Sequence, residues 1–168
     1  MKEIVCCFTG HRDIEKDLIP YVEEVLASIL YKLTVYGATV FRAGGAMGFD
    51  TVAAIEVLKV KKNDPRIKLK LCLPCPDQAA RWKPNDQRLY KKILEASDGY
   101  TYAEPEYTRG CMHKRNRQLV DGADFCIAYY DGSPGGTAYT VKYAEERGVQ
   151  IINIYTLARQ AKAIKAQK

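Results

Sequence analysis

The chain has 168 residues, 47% of them hydrophobic and 27% charged, with a formal net charge of +6 at pH 7. That length suits one domain with a real core, and the mixture of both charge signs excludes a disordered or collagen-like chain. No apolar run approaches a membrane span, and the opening Met1-Lys-Glu-Ile-Val-Cys-Cys-Phe8 is too short for a signal peptide, so the expectation is a cytoplasmic protein.

Ile4 to Phe8 is a short apolar run that stops at Thr9-Gly10, which predicts a buried strand. Val22, Val25, Leu26, Ile29, Leu30 and Leu33 then follow helical spacing, with Pro20 near the start and Gly37 placed as a stop. A second strand, Thr39 to Arg42, runs straight into Gly44-Gly-Ala-Met-Gly-Phe-Asp50, and Asp50 is expected to cap a helix with Ala53, Ala54, Val57 and Leu58 inside. Ile67 to Leu73 is a third strand, ended by Pro74 and Pro76. Asp77 to Trp82 reads as a short helix and Pro84 to Ala96 as a longer one. A weaker strand at Tyr100 to Ala103, a helix at Met112 to Val120, a strand at Phe125 to Tyr130, a helix from Gly136 to Arg147 and a last strand from Val149 to Tyr155 complete the series.

This alternation predicts an α/β fold, Rossmann-like and doubly wound, with a mostly parallel sheet of about six strands and helices on both faces. The expected layout is one such domain over residues 1–157 and a basic, helical C-terminal tail over 158–168. Arg159, Lys162, Lys165 and Lys168 of that tail stand without an acid and carry +4, which leaves about +2 of the +6 on the body. Such a body is too mildly basic to argue for a nucleic-acid surface by itself.

In a parallel sheet the loops after the strands open on one edge, where ligands bind. That rim should therefore gather Thr9-Gly10-His11-Arg12, Gly44 to Asp50, Pro74 to Trp82 and Asp131 to Thr137. Gly44, Gly45 and Gly48 stand between a strand and a helix, the context of a phosphate-binding turn, although neither the dinucleotide fingerprint nor a P-loop is present. Gly132-Ser-Pro-Gly-Gly-Thr137 has the same context, and Ser133 and Thr137 add hydroxyls beside the free amides of Gly135 and Gly136. His11 has no visible acid to orient it, so a hydrogen-bonding role is expected rather than a basic one. Trp82, the only tryptophan, either packs the rim or stacks on a base. Arg109 to Arg117 is a basic run in which Arg115 is placed to grip phosphate in a planar, bidentate way, with the polar amide of Asn116 beside it.

Cys72-Leu-Pro-Cys75 has C-x-x-C spacing, but no second pair accompanies it and both histidines belong to other motifs, so buried thiols are expected rather than zinc or redox chemistry. No cofactor and no metal is called for.

Phe8-Thr-Gly-His-Arg12, Gly44 to Asp50, Asp77-Gln-Ala-Ala-Arg-Trp82, Tyr107-Thr-Arg-Gly-Cys-Met112, Arg115-Asn-Arg117 and Pro134-Gly-Gly-Thr-Ala-Tyr-Thr140 together resemble the SLOG superfamily of Rossmann-like nucleotide-binding proteins, and within it the YpsA-like family. The resemblance implies a nucleotide or nucleotide-derived ligand, ADP-ribose-like among the candidates, and a homodimer or larger assembly. The superfamily includes the "Lonely guy" phosphoribohydrolases, whose first motif Met112-His-Lys-Arg115 resembles; this puts the gripping arginine on Arg115. Where those enzymes carry the catalytic glutamate, this chain has Thr140, which cannot stabilise an oxocarbenium-like transition state. The expectation is a non-catalytic binder of a phosphorylated small molecule. The alternatives are hydrolysis of nucleoside monophosphates through a relocated carboxylate, or single-stranded nucleic-acid binding as in DNA-processing members of the superfamily.

Overall fold

Prolines and glycines set the ends of the elements. In the computed structural model, which describes residues 2–168, Pro20 and Pro84 stand in the first turns of α1 (Ile19–Tyr36) and α3 (Pro84–Ala96), where a missing N–H costs nothing. Gly37 closes α1 with a φ of 118°, and its N–H donates to the carbonyls of Leu33 and Thr34, both at 3.1 Å.

The strands β1 (Ile4–Gly10), β2 (Ala38–Ala43), β3 (Lys68–Leu73), β4 (Tyr100–Tyr102), β5 (Phe125–Tyr129) and β6 (Gln150–Asn153) form one sheet in the order β4-β3-β2-β1-β5-β6. Every pairing is parallel. The remaining crossovers are α2 (Phe49–Asn63), α4 (Cys111–Val120) and α5 (Gly136–Glu146), and α6 (Tyr155–Ala166) follows β6.

Successive side chains of a strand face opposite ways, and β1 shows it: Cys6 and Phe8 enter one core, Cys7 the other. The larger core packs α1, α2, α3 and α6 on the sheet through Val22, Leu26, Ala53, Val57, Ile93 and Ala158. Phe8 anchors it between Phe41 and Phe49, at ring-centroid distances of 6.1 and 6.3 Å, and each such ring buried contributes about 1.5–3 kcal/mol. The smaller core lies under α4 and α5 and is built from Leu119, Val120, Cys126, Ala144 and Val149. The fold is doubly wound, as the alternation predicts.

From β1 the chain steps outward to β4, then returns across β1 to β5 and β6. The direction of winding reverses between β1 and β5, so their carboxyl ends flank the crevice where open α/β sheets bind ligands.

Two local expectations are corrected. Asp77 to Trp82 is a succession of turns and not a helix: Ala80 N donates to Asp77 O and Trp82 N to Ala79 O, both at 3.0 Å, with no i→i+4 bond among them. Prolines at 76 and 84 leave too little chain between them for a continuing helix. Asp50 does not cap α2; Gly48 holds the cap position, and Asp50, two residues on in the first turn, turns its carboxylate back to the Ala46 N–H at 3.2 Å. The basic C-terminal residues are helical through Ala166, as expected, and continue α6 from Tyr155. Ala158 is fully buried, and Arg159, Lys162 and Lys165 pair with Glu15, Asp17 and Glu24. No helix among the described residues is long and apolar enough to cross a membrane.

Candidate functional site

A cavity of about 290 Å³ opens at the β1/β5 reversal, lined by the tip of β1, one face of α4 and the start of α5. The tip of β1 can approach α2 only because Gly10 lacks a side chain: a Cβ there would lie 2.7 Å from Cβ of Phe49. His11 and Arg12 follow, with His11 N donating to Tyr129 O at 3.3 Å and His11 O accepting from Phe49 N at 3.1 Å.

From α4 come Met112, Arg115, Asn116 and Leu119, an i, i+3, i+4, i+7 stripe that turns one helix face to the cavity. Arg115 is only 4% exposed. Its Nη1 donates to the carbonyl of Gly44 and its Nε to Asn116 Oδ1 at 2.8 Å, while Nη2 makes no protein hydrogen bond among the described residues. Asp50, also in the cavity wall, is buried beside it. Burial pushes the Asp50 carboxyl up and Arg115 opposes this; burial likewise lowers Arg115, which Asp50 opposes. Each charge is what makes the other tolerable there.

α5 brings the open backbone amides of its first turn to the cavity. Gly135, at φ 140°, precedes the helix, and the first intrahelical bond runs from Tyr139 N to Gly135 O. The amides of Gly136 and Thr137 therefore have no partner among the described residues, at the positive end of the helix dipole, and both residues line the cavity. Thr140 is fully buried and donates its hydroxyl to Gly136 O at 2.9 Å, so it takes no part in the cavity.

Of the residues expected at the site, the fold brings together Gly10, His11, Arg12, Asp50, Arg115, Asn116, Gly135, Gly136 and Thr137. Gly44, Gly45 and Gly48 lie behind the cavity wall. A Cβ on Gly44 would stand 2.6 Å from Arg115 Nη1 and 2.8 Å from Asp50 Oδ2, Gly45 O accepts from Gln78 Nε2 at 3.1 Å, and Gly48 packs on the backbone of Arg12. That glycine turn is a packed support. Ser133 is occupied elsewhere: its N–H and hydroxyl both donate to Asp131 Oδ1, at 2.9 and 2.6 Å. Arg109 is exposed in the turn before α4 and lines no part of the cavity. Trp82 lies in an adjoining cavity that shares Arg12 and Met112.

The acid partner that sequence spacing does not reveal for His11 is Asp131, 2.8 Å from Nε2, across the crevice and 120 residues away. The Ser133 hydrogen bonds first, and then His11, hold the Asp131 carboxyl below its usual range. His113 also reaches the cavity and stacks flat on Tyr139, with centroids 4.0 Å apart and planes 7° off parallel, while Arg117 Nη1 donates to the Tyr139 hydroxyl at 2.8 Å. The sequence signal for His113 is its place in the Met112-His-Lys-Arg115 motif, although at i+1 it lies off the stripe of Met112, Arg115 and Asn116. All six cysteines are buried free thiols. Burial first, and then Asp77, pushes Cys75 up to about 11, and burial raises Cys72, so this C-x-x-C holds thiols rather than reactive thiolates at neutral pH.

The chain is similar to the "Uncharacterized SPbeta prophage-derived protein YoqJ" of Bacillus subtilis, 29% identical over 136 residues that cover 74% of this chain and 80% of that protein. It is 27% identical over 135 residues to the UPF0398 protein BH1768 of Halalkalibacterium halodurans, covering 79% and 71% of the two chains. Among solved structures, DNA processing protein A (DprA) from Streptococcus pneumoniae superposes with a TM-score of 0.66 at 19% identity over 89% of this chain. DprA from Helicobacter pylori, described for its single-stranded DNA binding mode, gives 0.61 at 18% over 88%. This chain spans 49% and 63% of those two proteins, and the likeness is one of fold. The YpsA family model, described as the YspA SLOG family, matches residues 6–158, nearly the whole sheet and its helices, and the chain belongs to that family.

Proposed function

We propose that this protein binds a nucleotide or nucleotide-derived ligand, without turning it over, as a sensor or regulatory protein. The observation that supports the reading is a single cavity at the winding reversal that combines the open amides of Gly136 and Thr137 with the unpaired Nη2 of Arg115 and the exposed Arg12. Helix-end amides and a planar guanidinium are the donors that a phosphate takes. Catalysis has less to draw on. Among the described residues Asp50 is the one carboxylate in the wall of that cavity, and it is committed to the Ala46 N–H and to the charge of Arg115.

Calorimetry with nucleoside mono- and diphosphates tests the reading. Wild type should give saturable heats, and Arg12→Ala, an exposed substitution, should weaken them severalfold with the fold intact by circular dichroism. No heat across the panel sinks the proposal. Release of free base from any nucleotide during the same incubations would replace the sensor with a phosphoribohydrolase.

Single-stranded nucleic-acid binding is a second reading, favoured by the fold shared with two DprA proteins, one of them described by its single-stranded DNA binding mode. Against it, three of the four C-terminal cations are already paired with acids of this chain. Gel retardation of oligonucleotides at low salt decides it. Binding that survives neutralisation of Arg159, Lys162 and Lys165 but fails in Arg12→Ala would place strands in the same crevice.

A further inference from the structure

A second cavity of about 480 Å³ opens beside the first, and Arg12 and Met112 form the wall between them. Its chemistry differs from that of the anion cradle. Trp82 and Tyr107 contribute two aromatic rings, Pro74 and Met112 apolar surface, and Asp77 a carboxylate. Trp82 is half-buried and held edge-to-face by Tyr90, at 5.4 Å between centroids and 78° between planes; Tyr107 is 70% exposed on the segment leading to α4. The turns of residues 77–82, pinned by Ala80 N to Asp77 O and Trp82 N to Ala79 O, fix this wall. Gln78 Nε2, bonded to Gly45 O, ties it to the glycine turn under Arg115.

Size and polarity divide the labour. At about 290 Å³ the first cavity is at the lower bound for a small-molecule site, enough for a phosphate and the sugar next to it. A nucleotide held there must send its base elsewhere, and the contiguous space is walled by aromatic rings. We infer that the second cavity is a nucleobase subsite, in which a flat heteroaromatic ring stacks on Trp82, is covered by Tyr107, and turns an edge with N–H donors to Asp77. Arg12, shared by both cavities, lies where phosphate and base portions join. The inference rests on the phosphate reading above and extends it to the ligand's class: an intact base-bearing nucleotide rather than a sugar phosphate.

Trp82 is the only tryptophan of the chain, so all tryptophan emission comes from this wall of the subsite. Wild-type protein is titrated with purine and pyrimidine nucleoside monophosphates and with ribose 5-phosphate, following fluorescence and calorimetry together. Nucleotides should quench Trp82 saturably, whereas ribose 5-phosphate should bind without quenching. Trp82→Ala should lose roughly tenfold or more in nucleotide affinity, the loss expected when one stacking platform is removed, with ribose 5-phosphate affinity unchanged within about twofold. Trp82→Phe, which keeps a ring, should recover most of it, and separates stacking from misfolding. Nucleotide binding with unaltered emission and an indifferent Trp82→Ala overturns the subsite while leaving the phosphate site standing. Equal losses for nucleotide and ribose 5-phosphate overturn it too, by making Trp82 a general support. Failure of wild type to bind either compound removes the phosphate reading and this inference with it.

Discussion

Nε2 of His11 lies 3.0 Å from the backbone nitrogen of Asp131 and 2.8 Å from its Oδ1. One ring nitrogen cannot serve both. As a bare acceptor it takes the N–H and joins the tip of β1 to the loop that carries Gly135 and Gly136; as a protonated donor it turns to the carboxylate.

This bond is expected to hold the Asp131–Gly136 loop in place. His11→Ala should speed amide exchange at residues 131–136 while leaving β1 and β5 protected, and should weaken nucleotide binding about threefold to tenfold, the range of one net hydrogen bond. Hydrogen-exchange mass spectrometry and calorimetry check the pair of effects. Unchanged loop exchange would show that Ser133 and the turn alone hold it.

Arg115 and Asp50 should behave as one unit. Arg115→Ala leaves a buried carboxylate without its cation, at a cost of about 3–5 kcal/mol in urea denaturation, and Asp50→Ala should be of similar severity. The double substitution should cost at least about 1 kcal/mol less than the sum of the singles. Strict additivity would mean that the two charges do not feel each other. Loss of ligand binding in Arg115→Ala alone therefore says little about contact with the ligand.

The two glycine turns should respond differently to an added methyl group. Gly48 has φ 81° and ψ −125°, and its Cβ would fall on the Arg12 backbone, so Gly48→Ala should destabilise by more than the roughly 1–3 kcal/mol of backbone strain alone. Gly135, at φ 140°, has no heavy atom within 4 Å of its would-be Cβ, so Gly135→Ala should cost less stability. It should nevertheless weaken phosphate binding, because it moves the amides that follow. Denaturation midpoints and calorimetry separate the two; a reversed ranking would return the Gly44–Gly48 turn to the ligand.

Acid should unfold the protein through carboxylates that tie distant strands. Lys2 first, and then the Val5 N–H at 2.9 Å, hold Asp124 below its usual range. For Asp98, burial pushes upward, but Lys61 and the Leu69 N–H outweigh it and the carboxyl ends lower. Because these pKa values fall on folding, their contribution is complete above the unfolded value of about 3.9 and is lost as pH drops through the folded values. Asp50, raised on folding, has the opposite sign: its contribution is present below the unfolded value and is lost as pH rises through the folded one. The melting temperature should therefore fall below about pH 4, and Asp98→Asn should flatten that fall. An unaltered acid slope in the variant would remove Asp98 from the account.

The alternation of apolar strands with amphipathic helices determined the winding, and the position of glycines after β1, β2 and β5 determined which loops share the rim. Both are local: period-2 and period-3.6 patterns, and backbone freedom at single residues, act over a few positions of chain. Which rim residues face the cavity was decided only by the tertiary structure. Gly44, Gly45 and Gly48 carry the same signature as Gly135 and Gly136, yet Arg115 and Arg12 pack against the first group and leave the second open. Ser133 looks like a ligand hydroxyl until Asp131 folds back on it, and the cations after Ala158 look free until α6 lays them beside Glu15, Asp17 and Glu24. Apart from Ser133, whose partner is two residues away, these outcomes depend on atoms brought from far along the chain, 71 residues for Arg115 at Gly44, 120 for His11 at Asp131 and 145 for Lys162 at Asp17. Long-range packing and charge pairing choose among rim residues that look alike in one dimension, because a buried donor or charge must find its partner wherever the fold has put one.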